Sequence, residues 1–493
     1  MNKYIGIDLG TSAVKLLLVG SDGGIFNETQ EEYHVFYPKG GWSEQNPEDW
    51  INAIVRGMKT LLVGTDPSEV KGISFGGQMH GLVALGRSDE VVRPAILWND
   101  GRTAEETAYL NDAVGRDKLS AFTANIAFAG FTAPKILWMK KHEPENFARI
   151  AKIMLPKDYV AYMLSGVHCT DYSDASGTLL LDVKNGKWSD EMCGICGVKK
   201  EWLPELYPSH AVVGTLKPEV AKRLGLSPSV KVIAGAGDNA AAAVGTGTVG
   251  DGACNISLGT SGTIFVSSGS FGVDKANALH SFRHADGGFH LMGCILSAAS
   301  CNKWWVEDIL RSDHGVEQND MFALLGKNDV YFLPYMMGER SPHNDVDARS
   351  MFVGMRPDST RSGMGLAVME GVTYALRDCL EVAKSNGVKV GRTRICGGGA
   401  RSELWRTVVA NVFGIPVDTV CTEKGPSYGA ALLAMVGCGE YASVAEACDA
   451  CVSLRSAVLP DEKLVKAYEK GYNVYRSLYP AMKDVFKLMK NMG

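Results

Sequence analysis

At 493 residues, with 46% hydrophobic and 21% charged side chains, the chain is long enough for two globular domains of roughly 240 residues. Its formal net charge of −5 provides no basic surface, which argues against nucleic acid as a partner. The sequence has neither a basic leader before an apolar stretch nor an apolar run of about 18 residues, so we expect a cytoplasmic protein with no membrane association.

Short apolar segments near the start predict three consecutive strands, at residues 4–7, 14–19 and 25–34. A helix is expected from Pro47, because Asn46 can cap it and the apolar residues that follow recur at helical spacing. Residues 70–75 and 231–234 are predicted strands that end at glycines, and helices are expected through much of 103–166. The mixture of strands and helices predicts an α/β protein.

A second series of elements begins near residue 253. It consists of a hairpin at 253–266, helices at 297–310 and 364–386, and a strand at 394–396 that runs into three glycines. Helices are also predicted at 402–413, where Gly414 and Pro416 end the pattern, and at 462–493. The glycine-rich segment 245–252 is the expected change of domain, which gives domains 1–245 and 246–493.

The most informative pattern is a repeated pentad, DLGTS at residues 8–12 and SLGTS at residues 257–261. Each copy lies between two short apolar strands and therefore predicts a β-hairpin with a turn of small residues. Backbone N–H groups and two hydroxyls at such a turn suit phosphate oxygens. The repeat predicts a duplicated domain with a ligand cleft between the copies and phosphate-binding residues on each side: Thr11, Ser12, Thr260 and Ser261.

Only the first pentad begins with a carboxylate, Asp8. A carboxylate beside a phosphate site would repel its ligand, so a bridging Mg²⁺ explains its presence and makes Asp8 the candidate metal-binding residue. The alternative is an aspartate that caps the turn. Lys15, on the second strand, is either a phosphate ligand or an ordinary surface lysine.

Asp238 is the candidate catalytic residue. It follows a predicted strand, lies between Gly237 and Asn239, and precedes a run of alanines that leaves room for a ligand. A carboxylate in this position can accept a proton from an attacking hydroxyl. The alternative interpretation is an N-cap for the alanine-rich helix.

Two polar and aromatic clusters follow predicted strand ends, where open α/β sheets bind ligands. They are QMHG at residues 78–81 and WNDGR at residues 98–102. Their amide, imidazole, carboxylate and guanidinium groups suit a substrate rich in hydroxyls, and Trp98 and Asp100 are candidate substrate ligands. A lone histidine is more often structural, so His80 keeps that alternative.

Several motif-like strings lie in the wrong context. GTGTVG at 245–250 follows a helix and precedes a strand, the reverse of a dinucleotide-binding fingerprint. GISFG at 72–76 is followed by a turn and a strand, whereas a nucleophile elbow turns into a helix. The CxxC pairs at 193–196 and 448–451 are not brought together by the sequence, and we expect reduced cysteines rather than a zinc site.

Longer strings resemble the FGGY carbohydrate kinases. GFTAPKILWMKKH at 130–142 fits one family signature, and residues 350–370 fit the other, except that Gly363 stands where a polar residue is usual. Within the family, GQMHGLV, ILWND, LPKDY and GAGDNAAAAVG are similar to the branch that phosphorylates D-xylulose. The resemblance covers nearly the whole chain.

The resemblance implies two ribonuclease-H-like domains of the actin/Hsp70 type, an N-terminal sugar-binding domain and a C-terminal nucleotide-binding domain. It implies ATP and Mg²⁺, with Asp238 as the base. The implied ketose ligands are Met79, His80, Asp238 and Asn239. The implied nucleotide ligands are Thr11, Thr260, Gly398, Gly399, Ala400 and Glu403, together with either Trp304 or Trp305.

Two alternatives remain open at this stage. One is a kinase of the same family that acts on another ketose or on a polyol. The other is an actin- or Hsp70-like ATPase that couples nucleotide to a partner, although no segment is left for a peptide-binding domain. The resemblance is compatible with a homodimer, and the residue pattern by itself does not define the oligomeric state.

Overall fold

The computed structural model describes residues 1–313, 318–422 and 424–490, and these divide into two compact units. The first unit comprises Met1–Gly250, Ser281–Phe289 and Lys424–Val452, and the second comprises the other described residues. The sequence boundary between residues 245 and 246 stays a prediction. None of the described helices has the length and apolar character needed to cross a membrane.

The first unit is built on one mixed sheet. Its strands lie in the order Val212–Thr215, Lys231–Ile233, Val70–Gly77, Lys3–Leu9, Ala13–Gly20 and Ile25–Glu32, and Ala236–Gly237 also pairs with Val70–Gly77. The strands Lys3–Leu9, Val70–Gly77 and Lys231–Ile233 run parallel, while the first three strands of the chain form an antiparallel meander. The predicted meander is thus confirmed.

Short strands and helices complete the first unit. The strands are Glu44–Gln45, Val83–Leu85, Ala95–Ile96, Lys152–Met154, Cys169–Asp171, Leu181–Asp182, Lys187–Trp188 and Glu205–Tyr207. The α-helices are Pro47–Leu61, Ala104–Ala108, Arg116–Thr123, Thr132–His142, Pro144–Arg149, Pro156–Ser165, Tyr172–Ser176, Asp190–Cys196, Pro218–Leu224, Asp238–Gly245, Gly425–Cys438 and Val444–Cys451. Turns of 3₁₀ helix lie at Pro67–Glu69 and Lys200–Trp202, and a π-helical stretch lies at Tyr109–Gly115.

The helix Gly425–Cys438 comes late in the chain but packs in the first unit, against Lys3–Leu9, Val70–Gly77 and Asp238–Gly245. The two helices approach so closely that a β-carbon on Gly429 would lie 1.8 Å from the backbone oxygen of Ala241. Only glycine permits that approach. The helix that begins at Asp238 is therefore held by a segment nearly 200 residues away in sequence.

The second unit repeats the central strand arrangement. Neighbouring strands lie in the order Phe289–Ile295, Gly262–Ser268, Cys254–Leu258, Thr393–Cys396, Val417–Val420 and Leu454–Val458. Cys254–Leu258 and Gly262–Ser268 form an antiparallel hairpin, and Thr393–Cys396 and Val417–Val420 continue in parallel beside it. This repetition agrees with the predicted α/β fold with two related domains.

The strand His280–Arg283 crosses the boundary between the units in sequence: His280 belongs to the second unit and the next three residues to the first. The other elements of the second unit are short strands and helices. The short strands are Tyr331–Leu333 and Met351–Val353. The helices are Ala299–Lys303, Gln318–Ala323, Arg361–Ser385, Glu403–Phe413 and Glu462–Lys490, with a π-helical stretch at Trp304–Ile309 and a 3₁₀ turn at Gly398–Arg401. Residues 491–493 of the predicted C-terminal helix lie outside the described residues.

Candidate active site

The candidate catalytic residues of the first unit lie where its parallel strands end. Asp8 pairs in register with Gly76, and Gly76 pairs with Ala236, so the strand Val70–Gly77 runs between the segments that carry Asp8 and Asp238. The cluster at 78–81 follows that same central strand. The register therefore gathers the first carboxylate, the predicted base and the first polar cluster at one edge of the sheet.

Asp238 is the first residue of the helix Asp238–Gly245, whose N-cap is Gly237. The alternative that Asp238 is the N-cap is therefore wrong, because the extended conformation that precedes a helix belongs to the glycine. The Asp238 Oδ1 accepts hydrogen bonds from the Asn239 backbone N at 2.7 Å and from its Nδ2 at 2.8 Å. Burial raises the pKa of Asp238 to about 6, against the lowering effect of these two bonds.

Asp8 is the second carboxylate of the cluster. Burial, followed by the charge of Asp238, raises the pKa of Asp8 to about 7, while Lys15 acts in the opposite direction. Lys15 lies directly across the hairpin from Asp8, and its own side chain is exposed. In the part of the chain that the structure describes, no donor hydrogen-bonds to the Asp8 carboxylate. Its oxygens are thus free to bind a cation, and two nearby carboxylates favour a divalent one.

His80 has a left-handed backbone conformation, with φ of +69°. Its Nδ1 lies 2.7 Å from the backbone oxygen of Gly177, and its ring stacks on Phe131 with centroids 4.6 Å apart. Met79 is buried next to Gly237, where a β-carbon would lie 3.0 Å from the methionine side chain. A non-glycine residue in this conformation persists only where its surroundings hold it, which marks His80 as a positioned side chain.

Trp98 and Asp100 differ in what they can offer a ligand. Trp98 is 42% exposed, and its Nε1 donates to the Thr11 hydroxyl at 2.9 Å, which joins the second polar cluster to the first Gly-Thr-Ser turn. Asp100 is buried, and its carboxylate accepts from Arg102 through Nε at 2.8 Å and Nη2 at 2.7 Å and from the Ser43 backbone N at 2.6 Å. These contacts favour a role for Asp100 in shaping the loop.

The first turn is closed by a hydrogen bond from the Gly10 N to the Ala13 oxygen at 3.1 Å. The Tyr33 hydroxyl donates to the Gly10 oxygen, and Gln45 Nε2 donates to the Thr11 oxygen at 2.6 Å. These bonds occupy the carbonyls of the turn. Ser12 remains exposed, and Thr11 is half-buried.

The second unit has a cavity of about 600 Å³ beside the second Gly-Thr-Ser turn. The register aligns Ser257 with Cys396, so the turn and the glycines after Cys396 lie at the same end of neighbouring parallel strands. The residues that line the cavity are Thr260, Ala299, Ser300, Asn302, Lys303, Val306, Met321, Met369, Gly398, Gly399, Arg401, Ser402 and Trp405. Such a lining combines apolar side chains with polar and basic ones, as small-molecule sites do.

Several predicted nucleotide ligands lie beside the cavity rather than along it. Ala400 is buried and Glu403 is exposed at the start of its helix, and neither belongs to the lining. Trp305 is buried in the core of the second unit and packs on Phe352 with ring centroids 5.2 Å apart. Trp304 is only partly buried and packs on Phe332, and it does not belong to the lining either.

The sequence reasoning missed a buried ion cluster behind Asp238. The Lys157 Nζ lies 2.6 Å from Asp158, 2.9 Å from Asp171 and 3.5 Å from Asp174, and all four side chains are essentially inaccessible. The Ser173 hydroxyl donates to Asp171 at 2.6 Å and accepts from the Gly237 N at 3.1 Å. The adjacent lysine and aspartate in LPKDY were the only local signal of this cluster.

The cysteines of both CxxC pairs are buried and are not joined in disulfides; they lie on the helices Asp190–Cys196 and Val444–Cys451. Among the described residues, one group has metal-binding side chains close enough to share an ion: Glu105, Glu106 and His142. The Lys141 ammonium lies 2.7 Å from Glu105 and so supplies a counter-charge at this position.

The comparisons with known proteins agree with this geometry. The chain matches the N-terminal domain of the FGGY family of carbohydrate kinases over residues 3–245 and the C-terminal domain over residues 254–438. It is 41% identical to a xylulose kinase of Escherichia coli strain K12, over 97% of this chain and 98% of that protein. A xylulose kinase of Bacillus subtilis strain 168 is 37% identical over 100% of this chain and 99% of that protein. A solved structure, the ligand-bound xylulose kinase from Lactobacillus acidophilus, is 26% identical with a TM-score of 0.94 and covers 99% of this chain and 100% of its own.

The chain belongs to the FGGY family of carbohydrate kinases, which transfer a phosphoryl group from ATP to a sugar. Its fold class and its enzyme class are therefore the ones that the sequence predicted. The same membership removes the alternative of an actin- or Hsp70-like ATPase that acts through a protein partner.

Proposed function

We propose that the protein phosphorylates D-xylulose with ATP to give D-xylulose 5-phosphate. The observation that carries this substrate is the 41% identity with a xylulose kinase over nearly the full length of both chains. The polar groups at the strand ends, an imidazole, an amide and a carboxylate, fit a ketose better than an apolar alcohol. Other ketoses and polyols remain the alternative substrates.

In this mechanism Asp238 accepts the proton of the sugar hydroxyl that attacks the γ-phosphate. Because the pKa of Asp238 is raised to about 6, its carboxylate is a stronger base than an ordinary aspartate and is still mostly ionised at neutral pH. It can therefore take the proton late in the transfer. The bonds from Asn239 hold Oδ1, which leaves Oδ2 for the sugar. His80 and Met79, beside Gly237, would position the ketose by contact with its hydroxyls and carbon chain.

The nucleotide is proposed to occupy the cavity of the second unit. Gly398 and Gly399 let the backbone approach the ligand, and Thr260 presents its hydroxyl at the turn. The turn at residues 10–12 and Lys15 are proposed to bind phosphate oxygens. The positive charge of Lys15 would complement the phosphate oxygens.

Mg²⁺ is the metal that fits the carboxylate pair, and Asp8 is the residue proposed to hold it. When bound, the ion would neutralise the charge of the phosphates and of Asp8. Asp8 by itself contributes an oxygen ligand with no competing hydrogen bond among the described residues. A homodimer and a cytoplasmic location complete the proposal, and light scattering and cell fractionation test them.

The first experiment measures ADP release over a panel of pentuloses, hexuloses and polyols. We expect the highest kcat/KM with D-xylulose. A higher value for another compound on the panel would assign the enzyme to that substrate instead.

The second experiment replaces the proposed base. Asp238→Asn should lower kcat by about 10²–10⁴-fold, because the proton acceptor is lost, while the affinity for ADP stays close to that of the wild type. Asp22→Asn, an exposed turn residue, is the matched control and should leave kcat unchanged. Near wild-type turnover in Asp238→Asn would contradict the assignment.

A further inference from the structure

The family signature at residues 130–142 contains a lysine that the proposed mechanism does not use. Lys135 lies on the helix Thr132–His142 and is completely buried. In the described part of the chain no carboxylate lies within ion-pair distance of its ammonium. Instead, the Nζ donates to the backbone oxygen of His80 at 2.9 Å and to the backbone oxygen of Gly130.

Such a lysine is costly for the fold. Removal of a charge from water without an opposite charge beside it is unfavourable, and an apolar side chain of similar length would avoid that cost. Burial lowers the pKa of Lys135 to about 7, with Asp100 acting to raise it and Arg102 to lower it further. A buried lysine with a strongly lowered pKa at the edge of a binding site is a candidate functional residue.

One of the two carbonyls that accept from Lys135 belongs to a sugar-site loop, and the other belongs to a residue that packs against the second such loop. One is the oxygen of His80 itself, the residue with φ of +69°. The other belongs to Gly130, where a β-carbon would lie only 2.5 Å from the backbone oxygen of Trp98. The Lys135 ammonium therefore connects the loop of His80 to Gly130, which packs against the loop of Trp98.

The neighbouring residues of the signature act on the same histidine. The Thr132 hydroxyl donates to the His80 oxygen at 3.1 Å, and Phe131 stacks on the His80 ring. Three nearly consecutive residues thus hold the backbone and the ring of one predicted sugar ligand. Convergence of this kind is what keeps a strained residue in a single conformation.

We propose that Lys135 is a positioning residue of the sugar site, which fixes His80 in its left-handed conformation and aligns it with the Trp98 loop. Thr132 and Phe131 support it. This inference rests on the proposed function, because it takes His80 as a ligand of the sugar. Lys135 touches neither sugar nor nucleotide and takes no part in the proton transfer.

The test compares sugar binding with stability in Lys135→Met, which keeps the length of the side chain and removes its charge and donors. We expect the Kd of D-xylulose, measured by calorimetry without ATP, and the KM for D-xylulose to rise about tenfold or more. The KM for ATP should change less than about twofold. Tm should stay the same or increase, because an unpaired buried charge has been removed.

A second variant covers the case in which Lys135→Met does not fold. Thr132→Val removes the other donor to the same carbonyl and should raise the KM for D-xylulose about threefold to tenfold. Thr123→Val is the matched control, since Thr123 is also buried and donates to a helix carbonyl, that of Leu119 at 2.9 Å. The control should leave the KM for the sugar unchanged.

His80→Ala separates failure of this inference from failure of the proposed site. A normal sugar affinity in His80→Ala would overturn the sugar site and the inference with it. A weakened affinity in His80→Ala together with a normal affinity in Lys135→Met would overturn the inference alone. A lower Tm together with similar fold increases in the KM for D-xylulose and the KM for ATP in Lys135→Met would show that the lysine is only structural, and it would also overturn the inference.

Discussion

Two carboxylates with raised pKa values lie at the ends of the parallel strands in the first unit. Burial is the largest cause for both, and the charge of Asp238 adds to the effect on Asp8. At neutral pH the fold therefore holds negative charge where desolvation opposes it. A site of this kind is less stable than an uncharged one and is suited to bind cations and protons.

The pH dependence of stability tests this charge arrangement. The pKa of Asp8 is about 7 in the folded protein, against about 3.9 in an unfolded chain, so the folded state binds the proton more tightly. The contribution of Asp8 to stability therefore falls as pH rises from about 4 to 7 and stays low above pH 7. Asp8→Asn removes the charge, and without Mg²⁺ it should stabilise the protein at pH 8 by about 1–4 kcal/mol and change little at pH 4.

Thermal unfolding of the wild type and Asp8→Asn at the two pH values measures this difference. Asp22→Asn serves as the control and should behave like the wild type at both. Addition of Mg²⁺ at pH 8 should raise the Tm of the wild type more than that of Asp8→Asn. A stability difference that is the same at pH 4 and pH 8 would contradict the raised pKa.

At the scale of single elements, the loop between Thr393–Cys396 and Glu403–Phe413 depends on glycine. Gly397 has φ of +88°, and a β-carbon there would lie 2.7 Å from the backbone oxygen of Leu258. Gly398 has open space around it, with no protein atom within 4 Å of an added β-carbon. The first glycine is required by the backbone, whereas the second is required only if a ligand approaches it.

Gly397→Ala should therefore lower the free energy of unfolding by about 1–3 kcal/mol, because strain and a close contact are added together. Gly398→Ala should leave stability within about 0.5 kcal/mol of the wild type and should instead raise the KM for ATP, since Gly398 lines the cavity and the added methyl group would meet open space there. Chemical denaturation and ATP titrations of the two variants measure these effects. Equal stability of the two variants would show that the loop does not need the left-handed conformation.

At the scale of the whole molecule, the two candidate binding regions lie in different units, and each unit has its own hydrophobic core. A ligand that binds one unit should first reduce local opening in that unit. Hydrogen exchange is thus expected to show D-xylulose protecting residues 78–81 and 238–241. ADP is expected to protect residues 258–261 and 397–402.

Exchange measured with each ligand separately, by mass spectrometry, tests this assignment. Protection of 397–402 by D-xylulose alone would contradict the placement of the sugar site. L-Arabinitol, a five-carbon polyol without the ketone, is a suitable control ligand and should protect the sugar segments less.

Local patterns were sufficient for part of this protein. The two Gly-Thr-Ser hairpins, the helix that starts at Pro47 and the strands that lead to Gly76 and Gly397 depend on residues close in sequence. Turn chemistry and hydrophobic period act over a few residues, so they can be read from the chain directly. The position of Asp238 directly after a strand was also predicted, because a carboxylate between a glycine and an amide is a local pattern, and its catalytic role stays a proposal.

Only the tertiary structure decided the rest, because it depends on contacts between distant segments. Three such contacts join residues that are far apart in sequence and that no local pattern relates. They are the packing of Gly425–Cys438 against Asp238–Gly245, the hydrogen bond from Lys135 to the His80 carbonyl and the ion cluster around Lys157. The hydrogen bond that the Asp100 carboxylate accepts from the backbone N of Ser43 likewise became visible only in three dimensions. The sequence by itself determined which local elements form and which groups end the strands. Burial and long-range pairing decided which of those groups are strained, desolvated or held in place, since both depend on the complete fold.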